Sequence, residues 1–373
     1  MQFKWTVLSI LFFISLTHYS QKIQLTDETK VSIITCGTGQ ELHSLFGHTG
    51  IRIFDRQLGL DLVYNYGAFD FLAPNFYGKF LKGDLLYFIG LDDFNSFLFN
   101  YQISNRSVWE QELLISVEQK QAVFDELAST YGTKKALYTY KFIDKNCTTL
   151  AVDLLQKNLD IPFDINIPEI NKLTDRELLN QYLINNYFAG LGINLVFGIK
   201  TDQRFNHIFL PEQLLKSAQI TLVNNNPIVG ETITKYSAHN NNTSNLPVVI
   251  GVSLFFIVIG LLCMYKIIAT LFFSFIGIVS LFLFGMQFYS FHNEVHYNYN
   301  LLLINPLFLA LAFYLITNQY KKYRLLIKVC LYCIVVYMVL VIINGYLFMV
   351  FPAILGIALA LIIQNKVIKK SRL

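Results

Sequence analysis

From residue 246 to residue 365 the chain is almost wholly apolar. Its ionised side chains there are Lys266, Glu294, Lys321, Lys322, Arg324 and Lys328. Backbone amides in hydrocarbon must find partners inside their own segment, so a stretch this long and apolar has to form membrane-crossing helices or a closed barrel. It divides into five apolar runs, 247–264, 267–288, 300–317, 325–345 and 347–364, each near the ~20 residues a helix needs to span a bilayer. The 54% hydrophobic content of the 373 residues is concentrated there. Residues 21–245 read as an ordinary mixed soluble domain, long enough for a full core.

Charge orients the spans. Lys266 lies between the first two runs. Lys321, Lys322, Arg324 and Lys328 surround the turn between the third and fourth, and Lys366, Lys369, Lys370 and Arg372 follow the fifth. If all three groups are cytoplasmic, the soluble domain lies outside. The N-terminus agrees. "MQFKWTVLSILFFISLTHYS" has a lysine and then a short apolar run, as in a secretory signal or an uncleaved anchor. The expected organisation is therefore a signal or anchor over 1–20 and an extracytoplasmic domain over 21–238. A polar linker (239–246), five transmembrane helices (247–365) and a basic cytoplasmic tail (366–373) follow. The net charge of +4 is explained by this topology. No basic stripe with interleaved aromatics suggests nucleic acid as a partner.

The soluble half reads as α+β. Val31–Thr35, closed by "CGTG", predicts a buried strand. "HTGIRIFD" alternates as a half-buried strand, and "GLDLVYNYG" pairs with it through the "DRQLG" turn. Helices are predicted at "SVEQKQAVFDELASTYG" and "TDRELLNQYL", each opened by a capping box (Ser116 with Gln119, Thr174 with Glu177). "NCTTLAVDLLQKN" is a third helix, with Ala151, Leu154 and Leu155 on one face. The apolar stretch 187–199 is too short to span. It is either a core segment or an element dipping into the outer leaflet.

Two positions stand out chemically. Cys147 falls at a helix start, where exposed amides favour a thiolate and can hold an oxyanion. His48, on a strand between glycines, is a candidate base. A third group usually orients such an imidazole. Asn65 is the first choice because it leaves the site charge unchanged, with Asp61, Glu41 and His43 as alternatives. Against this stands a plain disulfide between Cys36 and Cys147, the only two cysteines of an oxidising-side domain. No C-x-x-C or H-x-x-x-H spacing occurs in the soluble part, so neither metal nor other cofactor is expected. The external segment "QFYSFHNEVHYNYN", 287–300, is either an interfacial aromatic turn or a substrate- and lipid-facing wall presenting His292, His296, Asn298 and Asn300.

A strand histidine followed later by a helix-start cysteine resembles the circularly permuted branch of the NlpC-type, papain-related thiol fold, which includes the lecithin–retinol acyltransferase family. "HTGI" and "NC" (Asn146–Cys147) match its two motifs. A closer resemblance rests on "TCGTGQELHSLFGHTGIRIFD…VYNYGAFDF", "NRSVWEQ", "YTYKFIDKNCTT", "FLPEQLL" and the tail "FHNEVHYNYNLLLINPL". Together these resemble the Lnb family of bacterial membrane proteins over nearly the whole chain after the signal. The resemblance implies a permuted papain/NlpC-like domain followed by about five transmembrane helices in the inner membrane. It also implies N-acylation of lipoproteins. Cys147 would take an acyl chain from a phospholipid donor as a thioester and pass it to the α-amine of a diacylated lipoprotein. His48 would act as base, with Asn146 in support. The competing expectations are a membrane-anchored cysteine peptidase or amidase acting on cell-wall peptides, and a non-catalytic lipoprotein-binding module.

Overall fold

A computed structural model describes residues 22–239 and 244–370. The expected signal or anchor at 1–20, part of the linker and the last tail residues lie outside the described residues.

The soluble half is built on one antiparallel sheet of seven strands in the order β6-β4-β3-β2-β1-β5-β9. These are β1 (Lys30–Cys36), β2 (His48–Asp55), β3 (Leu60–Phe69), β4 (Leu86–Asp93), β5 (Val108–Glu112), β6 (Tyr138–Thr139) and β9 (Ile233–Tyr236). A separate hairpin, β7 (Leu222–Val223) and β8 (Asn226–Pro227), stands apart. The helices here are α1 (Phe76–Lys82), α2 (Phe94–Ile103), α3 (Val117–Thr130), α4 (Cys147–Leu159), α5 (Asp175–Leu183), α6 (Tyr187–Val196) and α7 (Pro211–Ile220).

The apolar run of β1 is buried on both faces because the pleat sends alternate residues to opposite layers. Val31 and Ile33 join the main core with Leu127, Leu154, Leu155 and Leu214. Ile34 and Cys36 pack beneath α2, against Phe94 and Phe97. Both expected capping boxes close, on α3 and α5.

Five apolar helices follow: α8 (Leu246–Leu262), α9 (Lys266–Tyr289), α10 (Leu307–Ile316), α11 (Tyr320–Ile343) and α12 (Leu347–Lys370). By length and composition 266–289, 293–316, 320–343 and 347–369 can cross a membrane, and α8 is a shorter apolar helix. The third crossing departs from the expected 300–317. Only α10 is regular α-helix, because Asn305 and Pro306 delay its start, and short 3-10 turns at Asn293–Val295 and Tyr299–Leu302 precede it. Irregular backbone at membrane depth is tolerated only where protein covers it, and here it is covered. α8 and α12 approach closely through Gly260 and Gly356. A methyl group at Gly356 would sit 2.7 Å from Phe256 Cβ.

The two halves share a buried polar knot. Arg176 of α5 is 2% exposed. It pairs with Asp202 at 2.5 Å and donates to the Phe197 and Gly198 carbonyls. Its guanidinium lies 4.6 Å from the ring centre of Tyr346, just before α12. Removing one partner of such a buried pair typically costs about 3–5 kcal/mol. α6 is the wedge between the halves. Ile193 and Val196 pack on the soluble core, Leu191 and Leu195 on the membrane bundle, and the Tyr187 hydroxyl donates to the Met349 carbonyl. The stretch 187–199 is thus both core and membrane-level element.

Candidate active site

β2 and α4 bring the two motifs together. His48 opens β2, and Cys147 is the first residue of α4. The imidazole lies within hydrogen-bonding reach of the sulfur. Burial opposes the thiolate, but the His48 charge, that hydrogen bond, the Thr49 amide and the Thr148 hydroxyl together hold the Cys147 thiol below its usual pKa. Thr49 and Thr148 are themselves joined hydroxyl to hydroxyl at 3.0 Å.

The orientation of the ring is set from behind. His48 Nε2 lies 3.2 Å from Asn65 Oδ1. Asn65 Nδ2 donates to the Asp92 carboxylate at 2.8 Å and to the Val63 carbonyl at 3.2 Å. A carboxylate accepts only, so the amide nitrogen must face Asp92 and the amide oxygen must face His48. That oxygen needs a donor, which puts the ring proton on Nε2 and leaves Nδ1 basic toward the sulfur.

Asn146 shapes the helix tip. Its side chain accepts from the Thr148 and Thr149 amides and donates to the Phe142 and Phe209 carbonyls. The cap therefore takes two of the amides that a bare helix start would offer an oxyanion. The Cys147 N–H is the one in the first turn that neither the cap nor the helix uses. Gly67 leaves room. It sits at a bulge in β3 with φ +111°, and a Cβ there would lie 3.7 Å from His48 Cε1 and 3.9 Å from Cys147 Cβ. A side chain at that position would pack against the imidazole and the Cys147 side chain and strain the backbone.

Two family models match the chain, the Lnb N-terminal periplasmic domain over residues 17–180 and the Lnb transmembrane domain over residues 236–371. This chain belongs to the Lnb family. It is a membrane protein with a periplasmic domain, and both His48 and Cys147 fall within the periplasmic match. No curated protein and no solved structure matches it.

Other expected site residues of this Lnb-family chain lie elsewhere. Asp61 is bidentate to Arg52, at 2.7 and 2.9 Å. Glu41 is exposed beside a 3-10 turn with His43, and its side chain makes no capping bond. Cys36 is unbridged, as is Cys147. Cys36 pairs across the sheet with His48, but burial pushes its thiol up to about 12, so it is inert as a nucleophile.

In 292–300 the polar side chains expected to form a lipid-facing wall are bonded to the protein itself. His292 Nε2 donates to the Phe80 carbonyl, and His296 Nε2 to that of Ser290. Asn298 donates to Leu195 and Val196. Asn300, fully buried, donates to Asn194 and Phe197 and accepts from the Tyr337 and Tyr346 hydroxyls. Their polarity satisfies backbone that the 3-10 turns and α6 leave unpaired.

Three site members escaped the sequence reading. Asp92 has a visible signal, an acid on a strand facing the core-side asparagine. Gly67 has only a weak one. Tyr138 shows itself only in three dimensions. Its hydroxyl is buried without an aligned partner, beside the Gly67 amide. Burial and the nearby Cys147 sulfur hold that phenol protonated well above its usual range, so it remains a hydrogen-bond donor.

Proposed function

We propose that this protein is an inner-membrane lipoprotein N-acyltransferase working by Cys–His catalysis through a thioester. The observation that supports the reading is the Cys147–His48–Asn65–Asp92 chain in a domain tethered to apolar helices. Membership of the Lnb family supports the same reaction class.

In the first half-reaction His48 Nδ1 takes the Cys147 proton, and the thiolate attacks a phospholipid ester carbonyl. The Cys147 N–H and the Tyr138 hydroxyl are the donors available to the tetrahedral oxyanion. Collapse expels the lysophospholipid alkoxide, which takes the proton from the imidazolium, and leaves an acyl-thioester on Cys147. In the second half the neutral α-amine of a diacylated lipoprotein attacks the thioester carbonyl. His48 accepts the amine proton, the amide forms, and the sulfur departs as thiolate.

Intact-mass measurement of the full chain in phospholipid vesicles tests this. A fatty-acyl increment on Cys147 that disappears on adding a diacylated lipopeptide is expected, with triacylated peptide as product. An unmodified cysteine alongside continued triacylation would overturn it.

A further inference from the structure

We propose that residues 70–82, comprising α1 and the turn before it, form a membrane-inserted lip that takes a phospholipid acyl chain from the outer leaflet and leads it to Cys147. The inference rests on the acyl-transfer reading above and adds the route of the donor.

The lip is fixed at membrane level by bonds to the end of a span. α9 stops at Tyr289, and the next three residues bind the last turn of α1. The Phe291 amide donates to the Lys82 carbonyl at 2.7 Å, and the Ser290 hydroxyl donates to that of Leu81 at 2.8 Å. His292 Nε2 donates to that of Phe80 at 3.0 Å. A segment tied to the last residues of a membrane-crossing helix must sit where that helix leaves hydrocarbon.

Its outward side chains suit that depth and not water. Leu72 is 92% exposed, Tyr77 77% and Phe71 65%. Each alone is unremarkable, but together, next to the exposed Phe288 and Phe291, they make an apolar patch continuous with the lipid-facing surface of α9.

From Phe71 a cluster of rings leads inward toward Cys147. Phe71 meets Phe69 with ring centres 4.5 Å apart, and Phe69 meets Tyr87 at 5.0 Å. Tyr87 stacks on Tyr140 at 4.5 Å and lies 6.2 Å from Tyr138. This cluster ends against Leu150, one turn along α4 from Cys147. Phe69 is two residues beyond Gly67, whose open side faces both the imidazole and the Cys147 side chain. A continuous run of aromatic side chains thus extends from the bilayer surface to the helix that carries the nucleophile, which a soluble peptide substrate would not require.

The test uses the full chain in vesicles of phosphatidylethanolamine and phosphatidylglycerol. In Leu72→Trp, the added fluorescence should be quenched by phospholipids brominated on the acyl chain. In the Leu72→Asp/Tyr77→Asp variant, acylation of Cys147 from vesicle phospholipid should fall about tenfold or more, while labelling by water-soluble p-nitrophenyl acetate stays at the wild-type rate. Absent quenching, undiminished acylation from vesicles, or equal loss with both donors would each overturn the lip. So would normal thioester formation with loss only of transfer to the lipopeptide, which would assign the patch to the acceptor. If wild-type protein forms no acyl-enzyme from either donor, the acyl-transfer reading fails instead, and the quenching result still decides where residues 70–82 lie.

Discussion

The Cys147 site and the segment 292–300 are both polar patches near the membrane surface, and they differ in what their polar atoms are doing. Around Cys147 the supporting groups are engaged behind the reacting ones, through Asp92, Asn65 and Asn146. The sulfur and the imidazole meet each other in front of that support. In 292–300 the amides of Asn298 and Asn300 and the Nε2 atoms of His292 and His296 are bonded to protein. Chemistry needs a group that is oriented yet unfinished. In 292–300 these bonded groups hold the fold, although His292 Nδ1 and the buried Glu294 carboxylate meet only each other, at 3.3 Å.

The sharpest way to break this comparison is to remove the reacting atoms. Cys147→Ser and His48→Ala should each lower acyl transfer by roughly 10³-fold or more with the protein still membrane-inserted, measured as triacylated lipopeptide formed. Next is Tyr138→Phe, which deletes one oxyanion donor and should cost about 10²-fold in kcat. The rate of Cys147 alkylation should stay unchanged, and a parallel fall in alkylation would make Tyr138 structural.

Thiol titration sharpens the electrostatic half. The folded-state pKa of Cys147 is lowered, so its thiolate persists to lower pH than that of an ordinary thiol and is lost as pH falls through that lowered value. Iodoacetamide alkylation should therefore modify Cys147 with a midpoint below that of an ordinary thiol and spare Cys36. In His48→Ala the midpoint should rise, because burial then acts with one fewer opposing partner. Asn65→Ala should lower kcat by about tenfold through a wandering imidazole, with substrate affinity held. An unchanged pH profile and rate in Asn65→Ala would remove it from the site.

On the other side of the comparison, Asn300→Leu should lower stability by about 1–3 kcal/mol by removing its hydrogen bonds to the Asn194 and Phe197 carbonyls and from the two tyrosine hydroxyls. This is measurable as a lower thermal midpoint in detergent. His296→Ala, which loses one half-exposed bond, should change the acyl-transfer rate least of all. A selective loss of transfer in that variant would restore the segment to the substrate path.

Much of the architecture is written in local patterns. The run of β1, the alternation of β2, the capping boxes of α3 and α5 and the apolar tail each depend on neighbours within a few residues, so a linear reading reaches them. The third crossing resisted because 293–316 is apolar enough to span while its Asn and Pro residues break the helix. His48 and Cys147 could be picked out because a helix-start thiol and a strand imidazole have local signatures. Asp92 and Tyr138 could not be assigned so, since their roles depend on β4 pairing with β3 and on β6 pairing with β4. Asp61 and Asn65 looked alike along the chain and share one face of β3, yet their different positions along the strand put Asp61 beside Arg52 and Asn65 beside His48.

By itself the sequence determined which segments enter the membrane, which side the soluble domain occupies and which residue types could do the chemistry, because hydropathy, charge bias and helix capping are short-range properties. Only the tertiary structure decided which polar residues remain free to react and which hold the molecule together. A hydrogen bond is a relation between two groups, and here its members come from strands, helices and loops tens to hundreds of residues apart.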